Sequence, residues 1–244
     1  MTNLRVALIG AAGRMGQAII ALAKSEGVEV VARIDLGDQL TFADEDVAID
    51  FSHADAARSI CEVAIKSKTP LVIGTTAHSA KQRDDILAVS KQIPVVLASN
   101  FSVGVSTLFA LTEHAAKILG DDFDLEIVEA HHRMKKDAPS GTAKALAEIL
   151  QRARQMKVLR HGREGIVGER GKSEIGIHSV RGGDVVGDHT VIFAGQSERL
   201  ELTHRASSRD TFARGAIRAA RWVIGKSPGL YDMRNVLGLQ AEDE

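Results

Sequence analysis

The stretch from Leu4 to Gly16 limits the possible folds more than any other part of the sequence. Leu4–Ile9 is apolar at nearly every position, the pattern of a strand covered on both faces. Gly10-Ala11-Ala12-Gly13-Arg14-Met15-Gly16 follows at once, and a helical pattern continues over Gln17–Lys24. A strand passing through a glycine turn into a helix is the context in which a G-x-x-G-x-x-G spacing can cradle a dinucleotide. Gly10 permits the tight turn. Gly13 lets backbone N–H groups approach a pyrophosphate at the helix start, and Gly16 lets the helix lie close to the strand. Arg14 adds a charge for phosphate. Asp35 ends a second strand, Val28–Ile34, where an acid commonly holds an adenine-ribose hydroxyl. The plainer alternative is a glycine turn that binds nothing.

The same rhythm continues. Strand patterns at Val47–Phe51, Leu71–Ile73 and Pro94–Ala98 alternate with helical stretches at Asp55–Lys66 and Ala80–Gln92. Such alternation predicts right-handed βαβ units on a parallel sheet. Beyond a boundary near Phe101–Val105 the pattern changes. A long helix, Val105–Leu119, precedes a strand over Asp124–Glu129 and a polar loop, His131–Thr142. A helix over Ala143–Met156 and an irregular glycine-rich loop, Arg160–Lys172, come next. Strands at Ile175–Arg181, Asp184–Phe193 and Arg199–His204 then follow without intervening helices, which predicts an α+β domain with an antiparallel or mixed sheet. Asp210–Ile224 reads as a helix and Leu230–Leu239 as a short tail.

Composition removes other classes. Among 244 residues, 31 Lys and Arg face 32 Asp and Glu, and aromatics make up 4%. That balance argues against a dedicated nucleic-acid binder or a base-stacking platform. Cys61 is the only cysteine, so no disulfide framework exists and a reducing cytoplasm suits the chain. No run approaches the roughly 20 apolar residues of a membrane span. A signal peptide could be imitated by Val6–Gly13, but that run is too short and ends at Arg14. Gly171-Lys172-Ser173 ends like a phosphate-binding loop, yet Ile166 stands where the first glycine should be. The near-zero charge is a sum of opposed regions. Asp35–Asp55 holds seven acids and no Lys or Arg, whereas His131–Arg163 holds nine Lys or Arg and two acids.

The densest chemistry lies in Glu129-Ala130-His131-His132-Arg133-Met134-Lys135-Lys136-Asp137-Ala138-Pro139-Ser140-Gly141-Thr142. Histidine can give or take a proton near neutral pH. Lys135 and Lys136 add positive charge. Ser140-Gly141-Thr142 precedes a helix, so its hydroxyls and backbone N–H groups form an anion site. Together these predict a small polyanionic substrate. Two plainer readings stand beside it. The loop could be solvated surface. The histidine pair could bind metal, although neighbouring strand residues point apart and no HExxH or cysteine cluster completes a set. The other histidines read as ordinary residues: His53 and His78 in loops, His114 on a helix, and His161, His178, His189 and His204 as surface or hydrogen-bonded strand residues.

The segment Glu129–Thr142 resembles the signature of the 4-hydroxy-tetrahydrodipicolinate reductase (dihydrodipicolinate reductase) family. The likeness extends to Gly10–Gly16, Val72–Thr76, Asn100–Val105, Arg181–His189 and Thr203–Arg209, and so spans essentially the whole chain. It implies an N-terminal Rossmann-like parallel sheet with helices on both faces, over residues 1–102 and completed by 209–244. It further implies a C-terminal α+β domain with an open mixed sheet, over 103–208, that binds substrate and forms a homotetramer. By motif position, His131 would be the proton donor and Lys135 a second donor or charge partner. His132, Ser140, Gly141 and Thr142 would hold two substrate carboxylates. Gly10, Ala11, Ala12, Gly13, Arg14, Met15, Asp35, Gly74, Thr75, Thr76, Ala98, Ser99, Asn100 and Phe101 would line NADH or NADPH. No metal, nucleic acid or membrane is implied. The resemblance implies a cytoplasmic enzyme of lysine biosynthesis that reduces a cyclic dicarboxylate with loss of water. Leu36 stands after Asp35 where many members carry a base for the 2′-phosphate, so NADH is expected to serve at least as well as NADPH. Two alternatives are a nicotinamide-dependent reductase of another small acid and a non-catalytic dinucleotide sensor.

Overall fold

The apolar run at the N-terminus is a strand, β1 (Leu4–Ile9), inside a parallel sheet. The computed structural model describes residues 3–208 and 210–239. They divide into two units, residues 3–103 with 210–239, and Gly104–Ser208. In the first unit β1 is followed by α1 (Arg14–Ala23), β2 (Val28–Ile34), β3 (Val47–Asp50), α2 (Ala57–Ser67), β4 (Leu71–Ile73), α3 (Ala80–Ser90) and β5 (Pro94–Leu97). The second unit takes in most of α4 (Val103–Leu119), then β6 (Asp124–His131), α5 (Gly141–Arg154), β7 (Val158–His161), β8 (Glu174–Arg181), β9 (Gly187–Ala194) and β10 (Arg199–Ala206). The chain then returns to the first unit as α6 (Asp210–Val223), β11 (Gly229–Tyr231) and α7 (Met233–Leu237).

The first sheet has six parallel strands in the order β11-β5-β4-β3-β1-β2. Its two faces explain the unbroken apolar strands. Val6, Leu8, Ile49, Val72 and Val96 pack on one side against Ile19 of α1 and Ala213, Ala216 and Ala220 of α6. Ala7, Ile9, Ala48, Leu71 and Val95 pack on the other against Ile60 and Ala64 of α2 and Ile86 of α3. Both parities are buried along most of the inner strands, so they are apolar at nearly every position, while the edge strand β2 exposes Glu29 and Arg33.

The second sheet is mixed, in the order β10-β9-β6-β8-β7, with β6, β8 and β7 parallel and β9 and β10 antiparallel. One face carries Leu125, Ile127, Ile175, Ile177, Val191 and Phe193 against Leu146 and Leu150 of α5 and Leu108 of α4.

Two sequence expectations need correction. The loop expected at Arg160–Lys172 begins inside a strand, because β7 pairs in parallel with β8 from Val158↔Glu174 to His161↔Ile177. All four residues of β7 are exposed, so no buried face imposes a period of two. The expected tail contains β11, which pairs with β5, and the short helix α7. Three residues carry too little local pattern to be seen without the partner strand. Among the described residues no helix is long and apolar enough to cross a membrane.

Candidate active site

The helix-covered face of the second sheet is apolar along most of its length and turns polar at one end. On β6, Leu125, Ile127, Glu129 and His131 point to that face, since strand side chains repeat every second residue. On β9, Phe193, Val191 and His189 do the same in the opposite direction. Register sets Glu129 beside His189 on one side and Ser179 on the other, and sets His131 beside Arg181.

Glu129 is 0% exposed and organises the cluster. Arg181 grips it with both terminal nitrogens, Nη1 at 2.9 Å from Oε2 and Nη2 at 2.8 Å from Oε1. His131 Nδ1 lies 2.5 Å from Oε2, and the Ser140 backbone N–H donates to Oε1 at 3.3 Å. Burial pushes the Glu129 carboxyl up, but hydrogen bonds from Arg181, Ser179 and His131 overcome this and hold it at about 2. It is therefore an anion at neutral pH and can only accept hydrogen bonds. His131 must then donate from Nδ1, which leaves Nε2 as the nitrogen that gains and gives a proton. Burial lowers the His131 pKa, partly opposed by Glu129, so the free imidazole is mostly neutral at neutral pH.

Cations and a helix start surround the pair. Lys135 Nζ is 2.9 Å from Asp137 Oδ1, and its backbone N–H donates to the His132 carbonyl, closing a tight turn. Arg181 Nη2 also donates to the Asp137 carbonyl at 2.7 Å, tying the loop to β8. Ser140 caps α5 by accepting the Ala143 N–H at 3.2 Å. No acid occupies the first turn of α5, so the positive end of the helix is open to an anion beside the exposed Gly141.

Glu129, His131 and His189 bring ligand atoms within 4.8 Å of one another, a different set from the adjacent histidines considered above. Arg181 already bridges both Glu129 oxygens, so a divalent ion there would have to compete with a guanidinium. The arrangement is suited instead to proton transfer.

The first unit holds the glycine turn. Gly10 has φ of +79°, and a Cβ on it would sit 2.5 Å from the Phe51 carbonyl oxygen. A Cβ on Gly16 would strike the Gly10 and Ala11 carbonyls. Gly13 is the N-cap of α1 and supplies no side-chain cap, so the first-turn N–H groups face outward for a pyrophosphate. Asp35 accepts the Ala12 N–H at 3.0 Å, which links the end of β2 to the turn. The turn is therefore shaped for a dinucleotide. Gly74 lies against the Phe51 ring, leaving no room for a side chain, and Thr75 is buried beside it. Phe101 is 1% exposed, in edge contact with Phe51, and sits in the core. Arg14 is exposed.

The dihydrodipicolinate reductase N-terminal family model matches residues 4–42 and 37–101, and the C-terminal model matches 104–237. The chain belongs to the dihydrodipicolinate reductase family. A 4-hydroxy-tetrahydrodipicolinate reductase of Akkermansia muciniphila is 53% identical over 242 residues, covering 97% of this chain and 98% of that one. Another from Geobacter sulfurreducens is 45% identical over 264 residues, covering 97% and 99%. Among solved structures, a dipicolinate-bound dihydrodipicolinate reductase from Paenisporosarcina shares the fold at a TM-score of 0.78. It is 24% identical and covers 94% of this chain and 97% of that one. The chain is an oxidoreductase of this family.

Sequence reasoning gave Glu129, Arg181 and His189 no part in this cluster. A signal was available for two of them. Glu129 falls on the parity of Leu125 and Ile127, and His189 on the parity of Val191 and Phe193, so each is a polar residue in an apolar row. Arg181 stood only within a motif of the family likeness, with no parity signal, and register alone brings it to Glu129.

Proposed function

We propose that this chain reduces 4-hydroxy-tetrahydrodipicolinate to tetrahydrodipicolinate in lysine and diaminopimelate biosynthesis, with NADH or NADPH as reductant. The balance is one hydride and one proton gained and one water lost. The observation that carries this reading is the buried Glu129–His131 pair beside the open start of α5. NADH oxidation with freshly generated 4-hydroxy-tetrahydrodipicolinate tests it. Turnover is expected, and nucleotide binding without turnover would favour a sensor.

In this reading Gly10–Met15, Asp35, Gly74–Thr76 and Ala98–Asn100 hold the cofactor, with Phe101 packed behind them in the core against Phe51. The bound reduced nicotinamide supplies the hydride. Elimination of the 4-hydroxyl with a ring proton, as water, makes the ring conjugated; hydride addition to it then leaves an electron pair that His131 quenches by protonation from Nε2. Lys135 and Arg181 lower the energy of negative charge as it forms. His132, Ser140, Gly141 and Thr142 hold the two carboxylates, Ser140 chiefly by shaping the helix start, since its hydroxyl is committed to Ala143 and His189. A dianionic substrate also favours the imidazolium, so His131 takes up its proton as substrate binds. Lys135→Ala is expected to raise the substrate KM and slow kcat by about tenfold each, the worth of one charge-assisted contact. Initial rates read both.

Leu36 is fully exposed next to Asp35, and the Asp35 backbone N–H donates to the Asp38 carboxylate. Two acids beside the ribose site disfavour a 2′-phosphate. NADH therefore serves at least as well as NADPH. Leu36→Arg is expected to shift the ratio of kcat/KM toward NADPH by about tenfold, the worth of one charge-assisted hydrogen bond. A strong wild-type preference for NADPH would defeat this reading.

The assembly is read as a homotetramer built on the second unit. Support comes from exposed apolar side chains on that unit: Val158 and Leu159 of β7 and Val180 of β8, each about half exposed or less, and Ile166, which is wholly exposed. A cytoplasmic setting fits the buried free thiol of Cys61.

A further inference from the structure

His189 lies on the helix-covered face of β9, in line with Val191 and Phe193, and is 4% exposed. An apolar residue would suit that row. Instead the imidazole leaves one nitrogen, Nδ1, buried without a hydrogen-bond partner. Such an orphan costs stability, so a fold has no reason to keep it for packing alone. The other nitrogen does have a partner. Nε2 is 3.0 Å from the hydroxyl of Ser140.

That contact closes a ring of interactions. Glu129 Oε2 holds His131 Nδ1, and Glu129 Oε1 accepts the Ser140 backbone N–H. Ser140 Oγ accepts the Ala143 N–H and meets His189 Nε2. The His189 ring in turn meets the His131 ring edge to face, with centroids 5.1 Å apart at 73°. The next residue of β9 on this face, Gly187, backs His131 Nε2 so closely that a Cβ there would lie 3.1 Å away. The start of α5 and the imidazole of His131 thus share two supports, Glu129 from β6 and His189 from β9.

We propose that His189 is a positioning residue: through Ser140 and the His131 ring it fixes the anion-binding start of α5 relative to the proton donor. This rests on the functional reading above. Burial, and the nearby His131, push the His189 pKa down to about 4, so it is neutral and acts by shape and hydrogen bonding, not by charge. The groups facing this cluster are Glu129, His131, Lys135, Arg181 and, on the neighbouring strand β10, His204.

Two variants of the full chain test the idea. His189→Met keeps the volume and removes the bond to Ser140. His189→Gln carries an amide nitrogen to about the place of Nε2. For each, kcat, the KM values for substrate and NADH, the Kd for dipicolinate and the Tm are measured. His189→Met is expected to lower kcat/KM for substrate by about 10- to 100-fold, the cost of a small misplacement of reacting groups. Its dipicolinate Kd should rise, while the KM for NADH and the Tm hold. His189→Gln should recover most of the loss. Wild-type kcat and substrate KM in His189→Met would overturn the proposal. So would a loss that follows the Tm and that glutamine does not restore. Wild-type enzyme that neither turns over nor binds dipicolinate would overturn the functional reading itself, and this proposal with it.

Discussion

His131→Gln should lower kcat by about 10²–10⁴-fold, the usual contribution of a positioned general acid, and leave NADH binding intact. Glutamine's amide falls near the place of Nε2 and gives up the Nδ1 contact, but Arg181 and the Ser140 N–H still hold Glu129, so the local fold survives. It cannot gain and release a proton at the place of Nε2. The pH profile provides the sharper check. Burial sets the His131 pKa below its ordinary value of 6.5 in the free enzyme. The form that carries the proton therefore dominates only below that lowered pKa. kcat/KM should fall as pH rises through it, by about tenfold per unit once the acid is the minor form, because kcat/KM reports the free enzyme. kcat should hold to higher pH, because the substrate's carboxylates favour the imidazolium in the complex. In His131→Gln this limb should vanish. A variant that kept both its rate and its limb would remove His131 from proton transfer.

Glu129→Gln should damage both stability and catalysis. The Glu129 carboxylate faces Arg181 in a two-pronged contact and is wholly buried. Removing its charge leaves a guanidinium without its counter-ion, and breaking a buried pair from one side costs about 3–5 kcal/mol. Thermal or urea unfolding measures that loss. The same change removes the anion that fixes the His131 tautomer, so folded protein should also turn over more slowly, by about 10²-fold for a reacting group out of place. The pH dependence of stability gives a second measurement. Glu129 has a folded pKa of about 2, below its unfolded value, so its contribution is complete above about pH 4.3 and is lost as pH falls toward 2. The variant should show a flatter acid limb over that window. Unchanged stability with unchanged kcat would show that Glu129 supports neither Arg181 nor His131.

Much of the architecture was legible from local pattern. The strands β1, β3, β4 and β5 could be read because a sheet covered on both sides demands apolar residues at both parities, and β2, at the edge, by its β-branched run. The helices α1, α2, α3, α5 and α6 could be read because one face of each must be buried. What escaped was β7, β11 and α7, where exposure or brevity removes the pattern. The boundary between the units carried no linker composition and was visible only as a change in the order of elements. Within the site, His131, Lys135 and Ser140–Thr142 are close in sequence and could be grouped by inspection. Arg181 and His189 are about 50 positions further on.

By itself, the sequence determined the parallel sheet, the glycine turn and the histidine loop, because each arises from residues near one another in the chain. Likewise, it determined the family, since the matching motifs run from Gly10 to Arg209. Only the tertiary structure decided which polar residues serve the histidine. Strand register sets Ser179, Glu129 and His189 side by side, and Arg181 next to His131. Register is a property of paired strands, fixed by the burial of Leu125, Ile127, Ile177 and Val191 along the same rows. A slip of one residue would turn Glu129 and His131 to the opposite face. The apolar core of the second unit is therefore what aims His131.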